Sequence, residues 1–229
     1  MSAQKANLIT PIAIVIAGAL IAAALYFALG GAQASTGDTV TAPTTPIAGV
    51  QADDHIQGNP DAKVVIVEYS DTECPYCKQY HEVLKEVIST YSPSDVAWVY
   101  RNFPIPQLHS KAPKQAEALE CAAELGGNET FWKYTNRLYE LTPSNNGLDM
   151  AELPKIAEYA GLDVAAFQQC LDSGAMKERV DADTAEVVAA GGRGTPHNII
   201  LVNGEQYPLE GGQPFDTMKQ IIDQLLSTQ

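Results

Sequence analysis

Positive charge is scarce in this chain. Only 18% of its 229 residues are charged, and 14 Lys and Arg face 28 Asp and Glu, a formal net of −14. A chain so acidic lacks the electrostatic footprint of a general nucleic-acid binder and is repelled by anionic lipid head groups. Cysteine is also scarce. Four residues are too few for a disulfide scaffold of this length. A second C-x-x-C, an H-x-x-H pair and any internal repeat are absent, which removes the common zinc-site spacings and repeat architectures. Apolar residues make up 45%, an ordinary globular mix that excludes wholesale disorder.

One long apolar run stands out. Ile12 to Leu29 is 18 residues without a charge, and from Leu8 the stretch is 22 residues, broken only by Thr10 and Pro11. As a helix it spans roughly 27–33 Å at ~1.5 Å per residue, enough for a bilayer core. A cleavable signal has an apolar core of only about 7–15 residues, yet Ala32-Gln33-Ala34 is an A-x-A cleavage pattern. Residues 1–31 are therefore read as a membrane anchor, with cleavage after Ala34 as the alternative. Either way the rest of the chain is exported, and Lys5 with the amino terminus puts the N-terminus in the cytoplasm. Residues 32–50 read as a flexible linker. Ala, Thr, Ser, Gly and Pro supply 14 of the 18 positions from Ala32 to Gly49. The folded domain is expected over 51–229.

Within it, Val64 to Tyr69 (VVIVEY) is a short β-branched run that reads as a buried strand. After Ser70-Asp71-Thr72 comes Cys74-Pro75-Tyr76-Cys77. From Tyr76 to Tyr91 the apolar spacing is helical, and Val96 to Tyr100 reads as a second strand. Five helices are expected near 112–126, 129–141, 151–160, 163–172 and 175–190, broken at Gly126-Gly127, Pro143 to Gly147, Gly161 and Ser173-Gly174. His197 to Val202 returns to strand. Asn203-Gly204 is a hairpin signal, and Pro208 confines Glu205 to Leu209 to an edge. Phe215 to Leu226 closes with an amphipathic helix. The outline is β-α-β, a helical insertion at about 107–190, then β-β-α. A further strand is expected before Val64, for which Val50 to Ile56 is a poor candidate.

The C-x-x-C sits where a strand passes into a helix. Cys74 then lies at the helix N-terminus, where free N–H groups and the dipole favour a thiolate. Cys77, one turn on, can resolve a mixed disulfide, and Pro75 suits the first helical position. The competing readings are an inert structural disulfide and a binding module, one that holds peptides or one that delivers a metal on Cys74, Cys77 and His81, with His197 as a candidate fourth ligand. As a plain surface residue, His81 needs no such role.

The stretches VVIVEYSDTECPYCKQYHE and GRGTPHNIILVNG, with the helical region between them, resemble the exported DsbA-like thiol:disulfide oxidoreductases of the thioredoxin superfamily. The resemblance covers about Asp54 to Leu226. It implies an α/β thioredoxin-like fold with a helical insertion, behind the N-terminal membrane segment. It implies Cys74 as nucleophile, Cys77 as resolving thiol and Pro196 as a cis-proline facing them. It further implies Glu68 as a buried acid relaying protons for Cys77. The substrate groove is expected at Pro75, Tyr76, Thr195 and Pro196. His197 replaces the small or apolar residue expected there and either tunes the thiolate or merely begins a strand. No cofactor is expected beyond the Cys74–Cys77 disulfide, and no metal. Expected partners are exported polypeptides and a membrane redox partner that recycles the enzyme, with the domain periplasmic or at the cell surface.

In an exported chain, pairing Cys121 with Cys170 leaves the C-x-x-C intact, and two buried free thiols are the alternative. The acidic neighbours Glu68, Asp71 and Glu73 oppose the helix terminus in setting the Cys74 thiolate. The expected potential is moderately oxidising or intermediate, with oxidase ahead of reductase or isomerase.

Overall fold

A computed structural model describes residues 45–228. The expected anchor, its cleavage pattern and the linker up to residue 44 lie outside the described residues. Among the described residues no helix is long and apolar enough to cross a membrane.

Among the described residues, five strands and six α-helices follow in order: β1 His55–Gln57, β2 Val64–Ser70, α1 Pro75–Thr90, β3 Val96–Asn102, α2 Ala112–Leu141, α3 Leu153–Ala160, α4 Val164–Ser173, α5 Lys177–Ala189, β4 His197–Val202, β5 Glu205–Glu210 and α6 Phe215–Ser227. The sheet order is β1-β3-β2-β4-β5. β2 and β3 run parallel across the crossover helix α1, and every other pairing is antiparallel. The expected thioredoxin-like β-α-β, helical insertion and β-β-α are all present.

β2 is buried along its whole length because both faces of the sheet are covered. Val64 and Ile66 face the cluster that includes Leu84 and Val87 of α1 and Met218 and Ile222 of α6. Val65, Val67 and Tyr69 face the other side, with Val187 of α5, Phe103 and Ile47. Period-2 alternation therefore puts Glu68 on the same face as the active-site helix.

The helical break expected at Gly126-Gly127 is a kink inside α2, where Gly127 takes φ 74°, a conformation that glycine reaches without steric cost. Asn203 (φ 52°) and Gly204 (φ 81°) form the tight turn between β4 and β5, and Pro208 does lie on an edge strand.

The strand expected before Val64 is present, and the expected start of the domain needs correcting. The strand is only three residues long and lies at the end of the candidate stretch, pairing antiparallel with β3. The packed chain begins before residue 51. Ile47 is buried, and its N–H donates to Gln206 Oε1 at 3.0 Å. The Arg101 guanidinium donates to the carbonyls of Ala48 and Gly49 and pairs with buried Asp54. Residues distant in sequence hold this segment, so its linker-like composition does not report its packing.

Cys121 of α2 and Cys170 of α4 form a disulfide with Cα atoms 5.9 Å apart. It closes a loop across a sequence separation of 49. On the chain-entropy estimate such a loop stabilises by about 4 kcal/mol. The double variant Cys121→Ala/Cys170→Ala is expected to lose stability of that order in denaturant unfolding while keeping both active-site thiols. A change below about 1 kcal/mol contradicts the cross-link's role.

Candidate active site

Cys74 occupies the N-cap of α1, followed by Pro75 at the first helical position, and no side-chain oxygen caps the helix. The first-turn N–H groups of a helix need acceptors; those of Tyr76 and Cys77 favour a thiolate at the Cys74 sulfur, although the thiol itself makes no cap hydrogen bond. Both active-site cysteines are free thiols. Cys77 is fully buried and Cys74 is 5% exposed. The Cys74 thiol donates to the Thr195 carbonyl at 3.4 Å, and the Thr195–Pro196 bond is cis. Asp71 N–H donates to Cys77 Sγ, also at 3.4 Å.

The two thiols are driven apart in acidity. Hydrogen bonding from Cys77 lowers Cys74 to about 6, helped by the Thr195 side chain and the N–H groups of Cys77 and Tyr76, against the opposing effect of burial. Burial, followed by hydrogen bonding and charge repulsion from Cys74 and repulsion from Glu68, raises Cys77 well above the usual thiol range. The contest between acidic neighbours and helix terminus is thus decided by hydrogen bonds to sulfur.

Glu68 lies in the middle of β2 with no exposure. Its carboxyl accepts from Ser70 Oγ at 2.8 Å and from Trp98 Nε1 at 3.0 Å. Burial nonetheless pushes it up to about 8, with the two hydrogen bonds working in the opposite direction. Tyr76 projects outward at 68% exposure beside the half-buried Pro75 and Thr195, with Pro196 buried behind them.

A thioredoxin family model matches residues 51–224. The chain belongs to the thioredoxin family. The crystal structure of DsbA2 from Pseudomonas aeruginosa matches with 28% identity and a TM-score of 0.64, covering 78% of this chain and 97% of that one. Oxidised BdbD from Bacillus subtilis shares the fold at 20% identity and a TM-score of 0.65, covering 81% of this chain and 98% of that one. With its dithiol site, the chain is a DsbA-like thiol:disulfide oxidoreductase. Among curated proteins, one named Na(+)/H(+) antiporter NhaA 1, from Mycolicibacterium gilvum, is 32% identical over 199 residues. The match takes in 83% of this chain and 30% of that protein, so the chain spans under a third of this relative's length.

Several residues around the oxidoreductase's thiols carry no local sequence signal. The Asp71 carboxylate accepts from the N–H groups of Glu73 and Ile105, at 2.8 Å each, and lies 3.0 Å from His109 Nδ1. It ties the active-site turn to the loop after β3. Glu73 is buried and held by Gln115 of α2 through its side chain and by Asn145 N–H through its carbonyl. Apart from the Glu73 N–H, two residues on from Asp71, their partners lie 34 to 72 residues away, so only tertiary structure reveals them.

His81 is not a surface residue. It is buried, with Nε2 2.7 Å from Asn136 Oδ1, and burial lowers its pKa to about 4. His197 begins β4 and is also buried. Among the described residues no group of three or more His, Cys, Asp and Glu side chains is arranged to hold a metal ion. The conjectured set of Cys74, Cys77, His81 and His197 is not brought together.

Iodoacetamide trapping of the reduced protein is expected to modify Cys74 with a half-maximal rate near pH 6 and to leave Cys77 unmodified at neutral pH. A midpoint near 9 contradicts the hydrogen-bonded thiolate. Glu68 supplies a second expectation. Folded, it keeps its proton up to about 8, whereas the unfolded chain releases it near 4.5. The folded state therefore binds more protons in that window, and stability falls as pH rises through it. Glu68→Gln is expected to stabilise the protein at pH 9 by a few kcal/mol, at about 1.4 kcal/mol per unit. The gain should fade towards pH 4, and a pH-independent difference in unfolding free energy contradicts the burial argument.

Proposed function

We propose that this protein is an extracytoplasmic dithiol oxidase that introduces disulfides into exported polypeptides. A client thiolate attacks Cys74 Sγ. The Cys74–Cys77 bond breaks, and Cys77 leaves with the electron pair and takes a proton from the Glu68 carboxyl. A second client thiolate attacks the client sulfur of the mixed disulfide, and Cys74 leaves as the thiolate. The client loses two electrons, and the enzyme holds them as the reduced pair. Pro75, Tyr76, Thr195 and Pro196 form the seat for the client segment, whose backbone pairs beside the cis-proline.

The lowering of Cys74 to about 6 carries this reading. A stabilised thiolate leaves readily and stabilises the reduced enzyme, so the disulfide form oxidises. Structural disulfides sit below about −300 mV, and a couple some 70 mV above them donates downhill by about 3 kcal/mol. Recycling calls for an oxidising membrane partner. The apolar run from Ile12 to Leu29 supports tethering next to such a partner, with the domain periplasmic or at the cell surface.

The deciding measurement is the reduction potential of the Cys74–Cys77 pair in glutathione buffers, combined with oxidative refolding of a reduced client. A potential between about −230 and −120 mV and faster refolding are expected. A potential below that range, with insulin reduction and no stimulation of refolding, overturns the oxidase direction in favour of a reductase.

A further inference from the structure

The redox centre's buried acid is connected to the helical insertion by a line of hydroxyls. Ser70 Oγ donates to Glu68 Oε1 at 2.8 Å and lies 3.0 Å from the Tyr139 hydroxyl. Tyr139 OH is in turn 3.3 Å from Tyr100 OH and 3.4 Å from the Asp71 carbonyl. Ser70 and Tyr100 belong to the sheet, but Tyr139 is carried by α2 of the insertion. All four residues are at most 2% exposed.

Proton counting fixes the direction of these bonds. A hydroxyl has one proton to give. With Glu68 ionised, Ser70 gives its proton to the carboxylate, so Tyr139 must donate to Ser70, and Tyr100 donates to Tyr139. Trp98 N–H donates to Glu68 Oε2 at 3.0 Å, which leaves Oε1 as the oxygen that gains and loses the proton. With Glu68 protonated, the carboxyl donates to Ser70 and Ser70 turns to the Tyr139 oxygen. The Tyr139 proton then goes to the Asp71 carbonyl. Both arrangements satisfy every group between Glu68 and Tyr139, but the chain that ends on the carboxylate is charge-assisted and the stronger of the two, so the Tyr139 hydroxyl favours the ionised acid. Burial holds Tyr100 and Tyr139 well above the usual phenol range, so both remain protonated donors throughout. Asp71 closes the circuit, since its N–H donates to Cys77 Sγ.

We propose that Tyr139 is a positioning residue for the Glu68 proton, acting through Ser70 and switching its hydroxyl between Ser70 and the Asp71 carbonyl as the carboxyl changes state. The insertion thereby takes part in the chemistry of the thiols as well as in packing. The inference rests on the proton-exchange role given to Glu68 above. The titratable groups facing Glu68 are Cys74, Cys77 and Tyr80 from the α1 side, Tyr100 from β3 and Tyr139 from α2.

The test is a carbon-13 NMR titration of glutamate side-chain carboxyls in the reduced protein, with Glu68→Gln identifying the resonance. In Tyr139→Phe the Glu68 midpoint is expected to rise by about 0.5–1 pH unit, the equivalent of one buried hydrogen bond. Ser70→Ala should raise it at least as far, and the double variant no further than Ser70→Ala alone. Difluorotyrosine placed at position 139 keeps the ring and strengthens the donor, so it should lower the midpoint, a sign that lost packing cannot produce. An unmoved midpoint in Tyr139→Phe and the fluorinated protein, or additive shifts in the double variant, overturns the role of Tyr139 and leaves that of Glu68 standing. A wild-type midpoint near 4.5 overturns both.

Discussion

Helix α1 starts with backbone N–H groups that no side-chain oxygen caps, and the reactivity of the molecule follows from offering them to a sulfur. An ordinary N-cap Ser or Asp satisfies these donors permanently. Cys74 satisfies them well only as a thiolate. The helix terminus, the Cys77 thiol and the Thr195 side chain therefore favour one protonation state over the other. The cis peptide brings Thr195 to the sulfur from a segment more than a hundred residues away. The fold can be understood as the means of holding that helix end, that loop and Glu68 in register. The central strand carries Glu68 on the face that meets α1, and β4, pairing antiparallel with β2, fixes Thr195 and Pro196 in the loop just before it.

The same arrangement makes the two cysteines unequal. Cys74 is at the helix end with a sliver of exposure, whereas Cys77 is one turn in and fully enclosed. Burial disfavours a thiolate wherever compensating donors are few. Cys77 has the single N–H of Asp71 against enclosure and two nearby negative charges. A leaving group so disfavoured as an anion needs a proton close by. Glu68 is the group whose acidity has been moved into the working range by the same burial.

Much of this was legible in the sequence because it is local. The β-branched run VVIVEY, the C-x-x-C at a strand-to-helix passage, the Asn203-Gly204 turn and the glycine breaks of the insertion each report their structure over a few residues. Glu68 was legible as a residue of that strand, and its place as a buried acid followed from the family resemblance. What escaped depends on long-range contact. His81 has an unremarkable place in the helical pattern, and only Asn136 and the rings of Trp98 and Tyr139 reveal that its face is covered. Residues 45–50 have linker composition and are held by Arg101, Glu186 and Gln206 from elsewhere in the chain. The Asp71 hub is invisible until the loop after β3 folds back on it.

A carboxyl buried in the middle of a central strand is a poor choice for stability alone. An apolar residue of similar size would fill the space without a group whose ionisation the interior resists. The surroundings of Glu68 are not those of an inert buried acid. Trp98 and Ser70 supply two donors, enough to make the carboxylate accessible and too few to make it permanent. More donors would drive the acid back to its ordinary range and leave it unable to hold a proton at neutral pH. Fewer would lock the proton in place. The insertion fits the same logic, because it covers the acid with aromatic side chains while leaving Tyr139 to answer Ser70. Its packing and its disulfide strengthen a fold whose central strand is destabilised at one position, and that position carries the acid proposed to serve Cys77.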